Sequence, residues 1–171
     1  TKKHRRRNGG IRLLGLIDQR EVVSATYSEL DKGFTELTLD EGASLSKFEF
    51  LEDGAEYRET IAAKDGAPTV AHELTFTLER MDADTAAAIE AIIEASRSGL
   101  IAVVVTINGD ALLLGYSQEF GKERPLRIAS AQATTGRLLS ETTSETVTLR
   151  SEDVSKARPL LDDLNNLFSK I

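Results

Sequence analysis

A chain of 171 residues is long enough for one domain of ordinary size and too short for two full ones, so a single core is expected. Cysteine and tryptophan are absent and only nine residues are aromatic (six Phe, three Tyr), which excludes a disulfide framework, thiolate metal sites and a cysteine nucleophile. The net charge of −7 conceals an asymmetry. Six of the 21 basic residues (Lys2, Lys3, Arg5, Arg6, Arg7 and Arg12) lie in the first twelve positions, and the other 159 positions of the chain carry 15 basic against 28 acidic side chains, a net −13.

Residues 1–10 therefore read as a basic, flexible arm on an acidic body. Such an arm can bind nucleic acid, an anionic membrane or the acidic surface of a neighbouring copy. Asn8-Gly9-Gly10 separates it from the first apolar segment as a hinge without side-chain bulk. No apolar run approaches the roughly 18 residues of a membrane helix, and no apolar stretch precedes a small-residue cleavage site. The expectation is a protein made in the cytoplasm with no membrane partner.

From Ile11 onward the dominant period is that of β-structure, with turn residues closing each run. Ile11 to Ile17 is the first strand, Val22 to Glu29 the second and Phe34 to Asp40 the third. Asp31-Lys32-Gly33 is the turn between the last two, with Gly33 the residue suited to positive φ. Ser46 to Glu52 sets Phe48 and Phe50 on one face. Asp53-Gly54 has the composition of a tight hairpin turn that returns the chain along Ala55 to Ala62, a unit closed by Asp65-Gly66-Ala67-Pro68.

Val70 to Glu79 alternates most cleanly. Val70, His72, Leu74, Phe76 and Leu78 share one face and Ala71, Glu73, Thr75, Thr77 and Glu79 the other, so one side is core and one polar. His72 in the apolar row reads as a structural histidine at the edge of the core, since a ligand role lacks a partner. An internal helix follows, with Asp82 able to cap, an Ala-rich run to Arg97 and Gly99 as terminator; Ala86, Ile89, Ile92, Ile93 and Ser96 form its inward stripe. Leu100 to Ile107 and Ala111 to Gln118 flank Asn108-Gly109, a strong hairpin signal, and the first of them is apolar on both faces, as a central strand would be. Arg127 to Thr134 carries Ala129, Ala131 and Ala133 on one face, which implies close approach of another element. Ser144 to Arg150 turns Val147 and Leu149 inward. After Pro159, Leu160, Leu161, Leu164, Leu167, Phe168 and Ile171 recur at helical spacing, predicting a C-terminal helix.

The fold class expected is mainly β with some α: an antiparallel β-sandwich or barrel of about nine or ten strands, one flanking internal helix and a C-terminal helix. Its parts are the arm (1–10), the β-domain (11–150) and a C-terminal helical segment (151–171).

Catalytic and cofactor motifs are absent. The two histidines, His4 and His72, cannot supply a histidine-rich metal triad, and neither sits in an H-E-x-x-H arrangement. There is no nucleophile elbow, phosphate-binding loop or dinucleotide fingerprint. Asp162-Asp163 and Asp82/Asp84 read as helix-surface and helix-start carboxylates. The expectation is a non-enzyme without cofactor or metal. Lys2 to Arg7 has no interleaved aromatic residue and no nucleic-acid reading module behind it.

The order of elements, with HELTFTL (72–78), the helix DADTAAAIEAIIEASRSG (82–99), the hairpin LIAVVVTINGDALLLGY (100–116), AQATTG (131–136) and SETVTLR (144–150), resembles that of the tail tube proteins of tailed bacteriophages. The resemblance covers residues 11–150. It implies a structural virion protein of the tail, a homo-oligomer forming hexameric rings that stack into a tube, contacts with other virion proteins and passage of DNA without sequence recognition. It also implies an assembly role for the arm residues Lys2, Lys3, Arg5, Arg6 and Arg7, and an acidic lumen that repels the genome's phosphates would use the body's excess charge. The C-terminal helix and the basic terminus depart from the general tube pattern. Alternatives are another virion component (tail terminator, head-tail connector or capsid decoration protein) and a non-viral β-sandwich binding module.

Overall fold

A computed structural model describes residues 9–50, 54–64, 66–79, 83–139, 144–164 and 167–168. In chain order the strands are β1 (Ile11–Asp18), β2 (Val22–Ser28), β3 (Gly33–Leu39), β4 (Ser46–Glu49), β5 (Ala55–Lys64) and β6 (Ala67–Leu78). Helix α1 (Ala83–Ala95) is followed by β7 (Leu100–Thr106), β8 (Ala111–Leu114), β9 (Arg127–Thr134), β10 (Ser144–Asp153) and β11 (Arg158–Pro159). They form a five-stranded sheet in the order β11-β8-β7-β1-β4, a four-stranded sheet β5-β6-β10-β9 and the hairpin β2-β3, with every pair antiparallel.

The five-stranded sheet is the middle layer. Its strand β7 alternates between two cores. Leu100, Ala102 and Val104 face a core completed by Leu74 and Phe76 of β6, Val147 and Leu149 of β10, and Ile89 and Ile92 of α1. Ile101 and Val103 face a second core completed by Phe34 and Leu37 of β3, by Leu45 and by the C-terminal Leu160 and Leu167. The doubly apolar sequence of β7 is thus the composition a central strand requires.

The expected C-terminal helix is not formed among the described residues. Arg158 and Pro159 pair with Leu113 and Leu112 as the edge strand β11, the Leu160 N–H donates to the Ala111 carbonyl (3.0 Å), and the Leu161 N–H donates to the Phe34 carbonyl (2.8 Å). Further on the Leu45 N–H donates to the Leu167 carbonyl (2.8 Å), and the Leu167 and Phe168 N–H groups both donate to the Leu164 carbonyl (3.1 and 3.3 Å), a single turn among the described residues. The leucine spacing suits a helix equally well in isolation. What decides is the backbone: the open edge of β8 and the free groups of β3 offer hydrogen bonds that a helix here would leave unmade. Phe168 then lies on β1, where a side chain on Gly15 would meet its ring at 2.6 Å.

Three turns also differ from expectation. Asp53-Gly54 joins no hairpin: β4 pairs with β1 in one sheet and β5 with β6 in the other, so the chain crosses between sheets there, and Asp53 itself lies outside the described residues. Phe48 and Phe50 explain the crossing, because both pack on Phe76 of the opposite sheet (ring centroids 5.9 and 6.5 Å) and hold the end of β4 over the inter-sheet core. The chain reverses instead between β5 and β6, where Lys64 pairs with Ala67; Asp65 lies outside the described residues and Gly66 has positive φ (80°). Pro68 is consequently inside β6, beyond the last residue of β10 that pairs there, so its missing N–H breaks no ladder. In the β2–β3 turn Lys32, not Gly33, takes the left-handed conformation (φ 53°). On α1, Ile89, Ile92 and Ser96 are buried, while Ala86 and Ile93 are exposed.

Asn108 and Gly109 lie in the β7–β8 connection. The Gly109 N–H donates to the Thr106 carbonyl (3.0 Å), the Thr106 N–H donates to the Asp110 carbonyl (2.9 Å), and only Gly109 has positive φ (91°). This is a three-residue loop with the glycine as bulge residue. Nothing lies within 4 Å of a side chain placed there, so Gly109→Val acts through the backbone alone. It should lower stability by about 1–2 kcal/mol in denaturant unfolding, whereas Gly15→Val, which drives a side chain into the Phe168 ring and Leu45, should cost more, about 1–3 kcal/mol or above.

Candidate assembly surface

The two sheets treat their edges differently. Those of the five-stranded sheet are short, four residues in β4 and two in β11. Those of the four-stranded sheet are long: β5 has ten residues and β9 eight, and neither has a further strand paired to it among the described residues. A long unpaired edge presents a row of free N–H and C=O groups that can add another strand. In β9 the run Ile128 to Thr134 contains no charge and no proline, the devices that ordinarily block such pairing. Ala129, Ala131 and Ala133 are exposed, so the close neighbour expected for them is not supplied from within the described chain.

The outer face of this sheet is polar, as the β6 pattern requires. Thr75 and Thr148 (3.3 Å) and Thr77 and Thr146 (3.0 Å) join hydroxyls across the β6–β10 pair. Beside them a charged row crosses the whole sheet in register: Arg58 of β5, Glu73 of β6, Arg150 of β10 and Arg127 of β9. Arg58 is also paired with Glu56 (3.0 Å). Around this row, Arg58, Arg127 and Arg150 share the face with Glu56, Glu73 and Glu152, and Glu79 follows on the same side just past β6.

At the upper end of β5 a polar cluster ties the edge to the chain that follows β10. The Tyr57 hydroxyl donates to Glu59 Oε1 (2.8 Å) and contacts His72 Nδ1, and the two rings stack at an interplanar angle of 12°. His72 Nε2 meets the Ser155 carbonyl (3.0 Å), and the Ala157 N–H donates to Glu59 Oε1 (2.8 Å). Both ring nitrogens of His72, 5% exposed, are thus occupied, in keeping with a structural histidine. Burial, reinforced by the adjacent Glu59 carboxylate, raises the Tyr57 phenol well above its ordinary range. At the other end of β1, the hydrogen bond from Arg20 holds the Asp18 carboxyl below its usual range.

The arm residues Lys2, Lys3, Arg5, Arg6 and Arg7 lie outside the described residues. The chain enters them at Gly9-Gly10, which share a cleft with Glu56, Tyr57, Thr75 and Thr77, beside the β5 edge. Among the described residues no group of three or more His, Asp or Glu side chains is placed to hold a metal, and no helix is long and apolar enough to cross a membrane.

Compared with protein-family models, with curated proteins and with solved structures, the chain matches none. The edges and the charged row escaped sequence inspection because both depend on register. Asp53-Gly54 pointed to β4 as the partner of β5, and only the pairing of β5 with β6 leaves the far side of β5 open.

The raised phenol sets a pH dependence. The unfolded chain releases the Tyr57 proton near pH 10 while the folded chain retains it, so this contribution to stability is full below about pH 10 and is lost as pH rises above it. Thermal melts between pH 7 and 11 should show an alkaline limb that Tyr57→Phe flattens. At pH 7 the same variant should lose about 1–3 kcal/mol, because Glu59 and His72 lose a buried partner.

Proposed function

We propose that this protein is a structural subunit that assembles by adding β9 of one copy to β5 of the next, closing a ring of joined four-stranded sheets, and that these rings stack as the tail tube of a tailed bacteriophage through which DNA passes. The observation that carries the reading is the pair of long open edges on one sheet whose other edges, in the facing sheet, are cut short.

Strand direction supports it. Four strands alternate in direction from β5 to β9, so a copy rotated about an axis along the strands brings its β5 antiparallel to the first copy's β9. The contact is head-to-tail, and every edge is consumed when the ring closes.

Stagger supports it as well. Within the sheet, Arg127 at the start of β9 lies in the row of Arg58, and Ala131 lies in the row of Ala55, the first residue of β5. Side chains keep their faces only if β5 of the neighbour slides by an even number of residues. Four is the smallest slide that gives all of β9 a partner, and it sets Thr134 against Glu56, Gln132 against Arg58 and Ser130 against Thr60 of the neighbour. A slide of four residues at about 3.3 Å each, over four strands about 4.8 Å apart, tilts the strands by about 35°, within the range of closed barrels. On the inner face the same slide brings the neighbour's Ile61, 60% exposed in the single chain, beside Ile128 and Ala129. With the six copies that the tail tube resemblance implies, 24 strands at this tilt give a backbone radius of about 22 Å, wide enough for duplex DNA.

A lysine on the open edge tests the pairing. Ala131→Lys, at an exposed site, should leave subunit stability within about 0.5 kcal/mol while abolishing rings and tubes in electron micrographs of the purified protein. Assembly that survives this substitution, with the parent's dimensions, would falsify β9 as the joining edge. Deleting residues 1–8 should leave rings intact and lower the salt concentration at which tubes persist, because the arm's surface ion pairs are individually weak and screened.

A further inference from the structure

Beside the start of β9, the segment leading into that strand and the end of β10 enclose an open cleft of about 460 Å³ whose walls include Arg124, Arg127 and Arg150 with Glu123 and Glu152. Arg127 and Arg150 are direct cross-strand partners. Like charges placed so destabilise a ladder. None of the ion pairs of the described residues involves Arg124, Arg127 or Arg150, although Glu73 is the register partner of Arg150 on its other side.

The backbone that carries these guanidinium groups is fixed. Leu126, fully buried between Arg124 and Arg127, exchanges both backbone hydrogen bonds with Leu100 (2.8 and 2.9 Å), and Pro125 packs on Gly99. The Arg124 guanidinium is held 5.0 Å over the Phe120 ring, which leaves its edge N–H groups available. Three cationic forks on a rigid frame, two of them in mutual repulsion, await an anion with several acceptor oxygens.

We infer that the Arg124–Arg127–Arg150 cleft binds a phosphate group. Guanidinium forks match phosphate oxygens in bidentate geometry. Glu123 and Glu152 on the same walls offset two of the three positive charges, so a single carboxylate gains little there, whereas a phosphate dianion engages three forks at once. All three arginines belong to one subunit, so the site does not depend on the assembly reading.

The test uses the full chain and inorganic phosphate, titrated against sodium chloride at constant ionic strength and followed by calorimetry and thermal melting. Phosphate at tenfold excess over its Kd should raise Tm by about 3–6 °C. Arg127→Gln and Arg150→Gln should melt no lower than the parent in chloride, since each removes the like-charge contact, and each should weaken phosphate binding at least tenfold. Arg58→Gln, on the same row but outside the cleft, should keep the full response. A short single-stranded oligonucleotide identifies the source: competition with inorganic phosphate, steeply weakened by salt, assigns the site to a nucleic-acid backbone, and binding of phosphate without competition assigns it to a free phosphate. A response to phosphate no larger than that to chloride, or one retained in both Arg127→Gln and Arg150→Gln, overturns the inference.

Discussion

Burial of β7 on both faces is the constraint from which the rest of the architecture follows. A strand with Ile101, Val103 and Val105 on one side and Ala102 and Val104 on the other cannot lie at a surface, so it requires apolar cover in two directions. The four-stranded sheet with α1 supplies one cover, and the β2–β3 hairpin with the C-terminal segment supplies the other. The second cover explains the course of the chain end. Leu160, Leu167 and Phe168 are drawn onto the far face of the middle sheet, and Gly15 leaves room for the Phe168 ring where any side chain on β1 would collide.

Three layers also explain the contrast between the edges. In the middle sheet β11 caps β8 for two residues and β4 caps β1 for four, so little of its ladder is open. Among the described residues, the outer sheet has cover on one face and no further strand at either end. Its exposed face is a hydroxyl ladder crossed by one charged row of three arginines and Glu73.

The β5 edge is stiffened from behind. Tyr57, Glu59 and His72 connect it to Ser155 and Ala157, so that hydrogen bonds tie β5 and β6 to the segment after β10. An edge held in its final conformation adds a strand without first ordering itself, which lowers the entropic cost of association. Both ring nitrogens of His72, the Tyr57 hydroxyl and Glu59 Oε1 find partners within this cluster.

Much of this was legible in the residues. The alternation of Val70 to Leu78, the doubly apolar β7, the Ala-rich helix and the glycine of the β7–β8 loop are local properties, set by side-chain period and backbone sterics, and they fold where their pattern places them. Other features depend on partners remote in the chain. The leucines after Pro159 fit a helix and an extended strap alike, and the free backbone groups of β8 and β3 chose the strap. The Asp-Gly pairs at 53–54 and 65–66 are equivalent as dipeptides, yet β4 and β5 lie in different sheets while β5 and β6 pair with each other, and the packing of Phe48 and Phe50 on Phe76 holds the end of β4 at the crossing. The open edges and the arginine cleft arise one step later, from strand order and register, which place Arg127 beside Arg150 although 23 residues separate them in the chain. The sequence by itself determined which segments could be buried; the tertiary structure alone decided which backbone groups and charges were left without partners, because pairing is a property of neighbours in space.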